Sequence, residues 1–245
     1  MEAETYTRQQ TLQLRTPNAV SVVGVGGIGF WAAVDLAMSG VPQLFLFDPD
    51  VLEESNRNRL PVCQSSVGMP KVDVCKDFIQ TLRPDCIVVG IQEKFEGVFM
   101  DIQLKVSNFI LDCTDSPTSQ IAIYKETQKV GLAKYVRAGY DGTGMTVTGH
   151  VSGWIKPQAE RENYTIAPSW VVPAQIVAAL AVAKIMKWPD QEVACDVSEI
   201  GIAVLQKTEK LTARCNQSGR ESEFRTHNGD RFGRTRTGGL ANRRG

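Results

Sequence analysis

The chain has 245 residues, 42% hydrophobic and 22% charged, with 27 basic and 27 acidic side chains in balance; that length suits one large α/β domain with a real core. The only strong local charge lies in 212–245, where eight Arg against three Asp and Glu give +5 and leave −5 on the rest, so the body is excluded as a nucleic-acid-binding surface. The polar first ten residues are unlike a secretory leader and no apolar run nears the ~18–20 residues of a membrane span, which points to a reduced, cytoplasmic setting with no membrane partner.

Residues 19–25 form a short apolar run ending in glycines, the signature of a buried parallel strand. Apolar residues then recur at helical spacing over 29–39, and Gly40 stops the segment. A second buried strand, 44–47, ends at Asp48. Residues 49–68 are polar and punctuated by Gly and Pro, and so long a loop inside a compact domain is usually functional. An amphipathic helix follows over 71–82, with Pro70 at its start and Pro84 beyond its end. The spacing then predicts strands at 86–91 and 109–112, a helix at 118–129, and strands at 135–140 and 145–154, the last alternating as an antiparallel strand does. Residues 155–168 read as a loop, 172–187 as an apolar helix and 200–205 as a last strand. One domain is expected over 1–210, and over 211–245 a Gly- and Arg-rich tail with too little apolar surface to fold.

Strand–helix alternation implies an α/β fold, a doubly wound, Rossmann-like, mainly parallel sheet with added antiparallel strands. Ligands in such sheets bind at the carboxyl ends of strands, where the strand order reverses. The chemistry-bearing residues fall there. In Gly24-Val25-Gly26-Gly27-Ile28-Gly29, the glycines Gly24, Gly26, Gly27 and Gly29 allow a tight turn and close approach of backbone to phosphate. A packing turn without ligand is the plain alternative. Asp48 stands where an acid accepts from ribose hydroxyls, while Asp50 reads as a capping or surface acid. Asn56, Arg59 and Lys71 lie beyond the second strand, where hydride transfer needs no cations but a triphosphate does; Arg57 reads as a surface residue. Asp112 and Asp115 end the fourth strand at a spacing that can hold Mg²⁺, although Asp115 before Ser116-Pro117 also suits a helix cap.

These residues resemble the ThiF/MoeB/ubiquitin-activating superfamily of adenylating enzymes. The resemblance runs from about Tyr6 to Val204 and is carried by 22–29, by Glu54-Ser55-Asn56-x-x-Arg59 with Val67-Gly68-x-Pro70-Lys71, and by 110–115. It implies ATP and Mg²⁺ as cofactors. The carboxylate substrate would typically be the C-terminus of a ubiquitin-like or sulfur-carrier protein, and the products an acyl-adenylate and pyrophosphate. It implies that Gly26, Gly27 and Gly29 cradle the nucleotide, Asp48 holds the ribose, Asn56, Arg59 and Lys71 meet the phosphates, and Asp112 positions Mg²⁺. Tyr6-Thr7-Arg8-Gln9 looks like the family's N-terminal segment, which makes Arg8 a cation acting across a homodimer.

The chain departs from that pattern in its cysteines. Cys63, Cys75, Cys86, Cys113, Cys195 and Cys215 include no Cys-x-x-Cys pair, so no structural zinc is expected. Residues 151–194 hold no cysteine for a thioester, and inert thiols are the expectation for Cys63 and Cys195. Two other readings remain open: an NAD(P)-binding oxidoreductase, and a non-catalytic scaffold of the same fold.

Overall fold

The computed structural model of the protein describes residues 2–151 and 168–196. Seven strands form one sheet: β1 (Ala19–Val23), β2 (Gln43–Phe47), β3 (Ile87–Ile91), β4 (Phe109–Asp112), β5 (Lys134–Asp141), β6 (Gly144–Thr148) and β7 (Val193–Asp196). Their order is β3-β2-β1-β4-β5-β6-β7. The first five run parallel, and β6 and β7 are antiparallel additions. The α/β, mainly parallel architecture expected from the sequence is the one observed.

Central strand β1 is buried at every position, because helices cover both sheet faces. On one face lie α2 (Gly27–Met38), α3 (Lys71–Leu82) and a long apolar helix, Val171–Met186, numbered α6 here. Helix α2 packs closely on α6, and buried Ala32, Ala33 and Ala37 on one and Ala174, Ala178 and Ala181 on the other let the backbones approach. That double contact, to sheet and helix, explains why neither sequence shows a polar face. Helix α3 does show one: only Val72, Cys75 and Ile79 are buried, at helical spacing. The opposite face carries α4 (Gly97–Val106) and α5 (Pro117–Val130) over a core that includes Phe47, Phe95, Leu104, Ile110 and Ile123. Helix α5 starts where Ser116 accepts the Ser119 N–H, with Pro117 in its first turn, and stops at Gly131 in a left-handed conformation.

Three elements differ from the sequence expectation. Helix α4 is absent from it, because Val98, Phe99, Ile102 and Val106 stay exposed and blur the helical period. Strand β7 was not anticipated, being four residues long and stabilised by pairing with β6. The N-terminal segment forms a short helix α1 (Glu2–Thr5) and a 3-10 helix (Thr7–Leu12). The expected strand at 200–205, most of the 155–168 loop, the end of the 145–154 strand and the 211–245 tail lie outside the described residues. No helix among the described residues is long and apolar enough to cross a membrane.

Candidate active site

Strands β1 and β4 are neighbours, with Val23 beside Asp112. The chain leaves β1 toward β2 and leaves β4 toward β5, so the strand order reverses between them. The crevice at their carboxyl ends is where a doubly wound sheet binds ligand, and the glycine turn closes its floor.

The four glycines divide the labour. Gly24 has φ +84, and a Cβ there would stand 3.0 Å from the Cys113 carbonyl oxygen. A Cβ on Gly29 would lie 1.9 Å from the Gly24 carbonyl oxygen. Both positions are closed to side chains by packing of the turn on β4 and on itself. Gly26, which caps α2, has nothing within 4 Å of such a Cβ. Gly27 faces the Arg59 Cδ at 3.0 Å and the Tyr140 hydroxyl at 3.3 Å. The start of α2 therefore presents bare backbone to the crevice, with the positive end of the helix behind it.

Asp48 braces this turn. Its carboxylate accepts the Val25 N–H at 2.7 Å and the Asp50 N–H at 2.9 Å, and it is 5% exposed. Burial pushes its pKa up, against the pull of Lys71 and the two N–H donors. Two bonds leave a carboxylate with further acceptor capacity, enough for ribose hydroxyls. Lys71 begins α3 with its Nζ 2.8 Å from Asp50 and 3.8 Å from Asp48, so the expected phosphate cation sits between two acids. Asp50, read as a surface acid, is Lys71's nearer partner.

The 49–68 loop contains two 3-10 turns, Glu54–Asn58 and Gln64–Ser66. Asn56 is buried, and its Oδ1 accepts the Glu53 N–H at 3.1 Å while the Glu53 carboxylate accepts the Asn56 N–H. Its carbonyl group thus shapes the turn instead of facing the crevice. Arg57 is engaged by Glu54 and by Gln64 at 2.5 Å, as a surface residue would be. Arg59 is placed differently. Its carbonyl accepts the Trp31 indole N–H at 2.9 Å, its guanidinium donates to Ser55 O and Asn58 Oδ1 at 2.9 Å, and its stem overlies Gly27. Among the described residues no carboxylate pairs with it.

The sequence reading put both Asp112 and Asp115 at the ligand; the structure separates them. Asp112 is fully buried. Its Oδ1 accepts from the Thr114 N–H at 3.0 Å and hydroxyl at 2.7 Å, and its Oδ2 accepts the Tyr135 hydroxyl at 2.7 Å. Burial raises its pKa, opposed by Thr114, Tyr135 and Arg137. As the last residue of β4 it turns into the layer between sheet and α5, whereas Asp115, three residues on, is exposed. Among the described residues no three His, Cys, Asp or Glu side chains gather to hold a metal.

Arg8 is exposed and remote from this crevice. Its 3-10 helix is fixed to the other end of α2: the Tyr6 ring packs on Gly40, the Gln9 amide donates to Ser39 O at 2.9 Å, and Arg83 stacks over Tyr6 at 4.7 Å. Twelve helical residues span about 18 Å.

Sequence reasoning missed three residues around Gly27: Asn58, Tyr140 and Ser169. Tyr140 alone carried a signal, closing an expected strand whose carboxyl end must face the site. Of the cysteines, Cys75 is encased and Cys113 half-buried, and burial drives both thiol pKa values up, whereas Cys63 is exposed on the 49–68 loop. A cavity of about 300 Å³ lined by Phe109, Lys134, Gly149 and Lys184 opens at the amino ends of β4 and β5. That is the wrong end of the sheet for the ligand of such a fold.

The ThiF family model matches residues 3–200. A tRNA threonylcarbamoyladenosine dehydratase of Bacillus subtilis (strain 168) is 35% identical over 127 residues, 49% of this chain and 48% of that protein. The adenylyltransferase and sulfurtransferase UBA4 of Saccharomyces cerevisiae (strain ATCC 204508 / S288c) is 35% identical over 127 residues, 51% of this chain and 29% of UBA4. The chain thus spans about half, or less, of the length of these relatives. Among solved structures, E. coli MccB with ATP superposes with TM-score 0.60 at 22% identity, over 70% of this chain and 55% of MccB. PaaA superposes with TM-score 0.59 at 23% identity, over 80% of this chain and 73% of PaaA. At those identities the superpositions speak for the fold.

Proposed function

Because the chain belongs to the ThiF family, we propose that it binds ATP in the β1/β4 crevice and adenylates a carboxylate. The observation that carries this reading is Arg59 lying over Gly27 at the start of α2, with no described carboxylate to neutralise it. A guanidinium held only by neutral acceptors beside helix N-terminal N–H groups is a site for concentrated negative charge. A dinucleotide used for hydride transfer asks for the helix end but not for the cation.

The carboxylate oxygen attacks the α-phosphorus of ATP, forming the acyl–phosphate bond as the bond to pyrophosphate breaks. No proton needs to be taken from an ionised carboxylate. The protein's task is to align the two anions and offset their charge. Asp48 fixes the turn and has acceptor capacity for the ribose. Arg59 and the α2 N–H groups face the phosphates, and Lys71 joins them by exchanging its contact with exposed Asp50. Asn56 acts by holding the Arg59 turn in shape. Asp115, being exposed, is the carboxylate able to hold Mg²⁺ together with phosphate oxygens and water, the usual sparse protein contribution to that ion. When bound, Mg²⁺ supplies charge neutralisation of the triphosphate. Asp112 supports from beneath as a buried acceptor.

The substrate we favour is the C-terminus of a ubiquitin-like or sulfur-carrier protein. The printed names of UBA4 and of the ubiquitin-like modifier-activating enzyme 5 of Bombyx mori, 30% identical over 168 residues, 64% of this chain and 42% of that protein, support that class. A peptide carboxylate is the second reading, supported by the MccB structure holding N-formylated MccA. Arg8, turned away from its own crevice, is proposed to serve the partner's in a homodimer.

The test is exchange of labelled pyrophosphate into ATP in the presence of candidate carriers and peptides. Exchange that depends on one substrate and fails in Arg59→Ala supports the reading. ATP that does not bind, with NAD binding in its place, sinks it.

A further inference from the structure

We infer that Tyr140 and Ser169 together supply a hydroxyl donor to the phosphate chain of the bound nucleotide, beside Arg59. The inference rests on the ATP reading above and extends it to two residues from distant segments. Tyr140 stands near the end of β5, and its hydroxyl lies 3.3 Å from the point where a Cβ on Gly27 would be. The Arg59 stem approaches the same point to 3.0 Å. The phenol and the guanidinium therefore meet over the buried Gly27 backbone in the first turn of α2, next to open Gly26.

Ser169 comes from the segment leading into α6, and its Oγ is 2.5 Å from the Tyr140 hydroxyl. That segment is pinned at three places. The Asn58 amide donates to the Ser169 carbonyl at 2.8 Å, the Gly142 N–H donates to the Pro168 carbonyl at 2.9 Å, and the Trp170 indole donates to the Gly142 carbonyl at 3.1 Å. Asn58 lies next to Arg59 in sequence and also receives the Arg59 guanidinium. The turn that carries the cation thus carries the clamp on the hydroxyl pair as well.

Proton counting sets the chemistry. Two hydroxyls bring two protons, and one hydrogen bond between them uses one. Among the described residues the second proton has no acceptor. It is held half-buried beside a helix N-terminus and a guanidinium, and the nearby Asn58 amide oxygen and the Ser169 and Gly142 carbonyls are already engaged by Arg59, Asn58 and Trp170. An anionic oxygen arriving at the open backbone of Gly26, beside the pair, would take that proton in a short, charge-assisted bond. No bond is made or broken and the proton stays on its hydroxyl. Rotation of either hydroxyl lets the pair follow the charge as pyrophosphate departs.

The experiment is calorimetric titration of the full chain with a non-hydrolysable ATP analogue and Mg²⁺, and separately with adenosine. Wild type, Tyr140→Phe and Ser169→Ala are compared, with melting temperatures recorded. Loss of a hydrogen bond to a charged group should weaken the analogue by about tenfold in Tyr140→Phe. Adenosine affinity and melting temperature should stay as in wild type, and Ser169→Ala should show a smaller loss of the same kind. Unchanged analogue affinity in Tyr140→Phe, with wild type binding normally, overturns this inference alone. An equal loss for analogue and adenosine also overturns it, since that marks general damage to the crevice. Wild type that binds neither overturns the ATP reading and this inference with it.

Discussion

The Val25 backbone N–H donates to the Asp48 carboxylate at 2.7 Å, so the turn between β1 and α2 is suspended from the end of β2. An acid expected for ribose recognition is thereby also a structural brace of the glycine turn. Replacing Asp48 by Ala leaves the buried Val25 N–H unpaired, which costs about 1–3 kcal/mol. Asp48→Asn keeps one acceptor oxygen and should fall between Ala and wild type. Urea midpoints check the order, and ATP affinity should decline in the same order as the turn loosens.

The glycines should separate by mechanism. Gly29→Ala forces a methyl onto the Gly24 carbonyl at 1.9 Å, so backbone must move, and a loss of about 1–3 kcal/mol or more is expected as a lower melting temperature. Gly26→Ala meets nothing within 4 Å and, as a poorer cap of α2, should cost at most about 1 kcal/mol. Its methyl points into the cradle, so ATP affinity is what falls. If Gly26→Ala binds ATP normally, the crevice is not the phosphate site.

The two arginines of the loop make a matched pair. Arg59→Ala should weaken ATP by about ten- to a hundredfold, the worth of one or two hydrogen bonds to charged groups. Arg57→Ala removes only surface contacts to Glu54 and Gln64, worth about 0–1 kcal/mol to the fold, and should bind ATP as wild type does. Equal losses in both variants would mean that only general positive charge matters.

Asp112 has a pKa raised above its ordinary 3.8 by burial. The folded state therefore holds the proton more tightly than the unfolded chain. The favourable contribution is complete below 3.8 and is lost as pH rises through the raised value. Asp112→Asn cannot titrate, so the stability of wild type relative to it should decline over that window and then level. Urea unfolding at a series of pH values from 3.5 upward measures the difference. A difference rising with pH would show that the Thr114 and Tyr135 bonds outweigh burial.

Much of this fold was legible because its signals are local. Helix α3 was read with its observed ends, Lys71 and Leu82, since a proline start and a single apolar stripe belong to the segment itself. Strand β4 was read as observed, 109–112, since it is short, apolar and ends in an acid. Helix α4 was invisible because its apolar residues do not all turn inward. What the sequence determined by itself was the family and the strand–helix alternation as far as β2 and α3: the glycine turn, Asp48, the 54–59 run and Lys71 are a linear pattern. Only tertiary structure could decide which member of that pattern faces a ligand. Asp112 and Asp115 differ by three places, yet one is sealed under Tyr135 and the other exposed, because β4 ends between them. Tyr140 reaches Gly27 from 113 residues away along the chain, and Ser169 meets its hydroxyl from a further segment. No sequence spacing encodes that approach, which is set by how β5 and α6 pack beside β4 and α2.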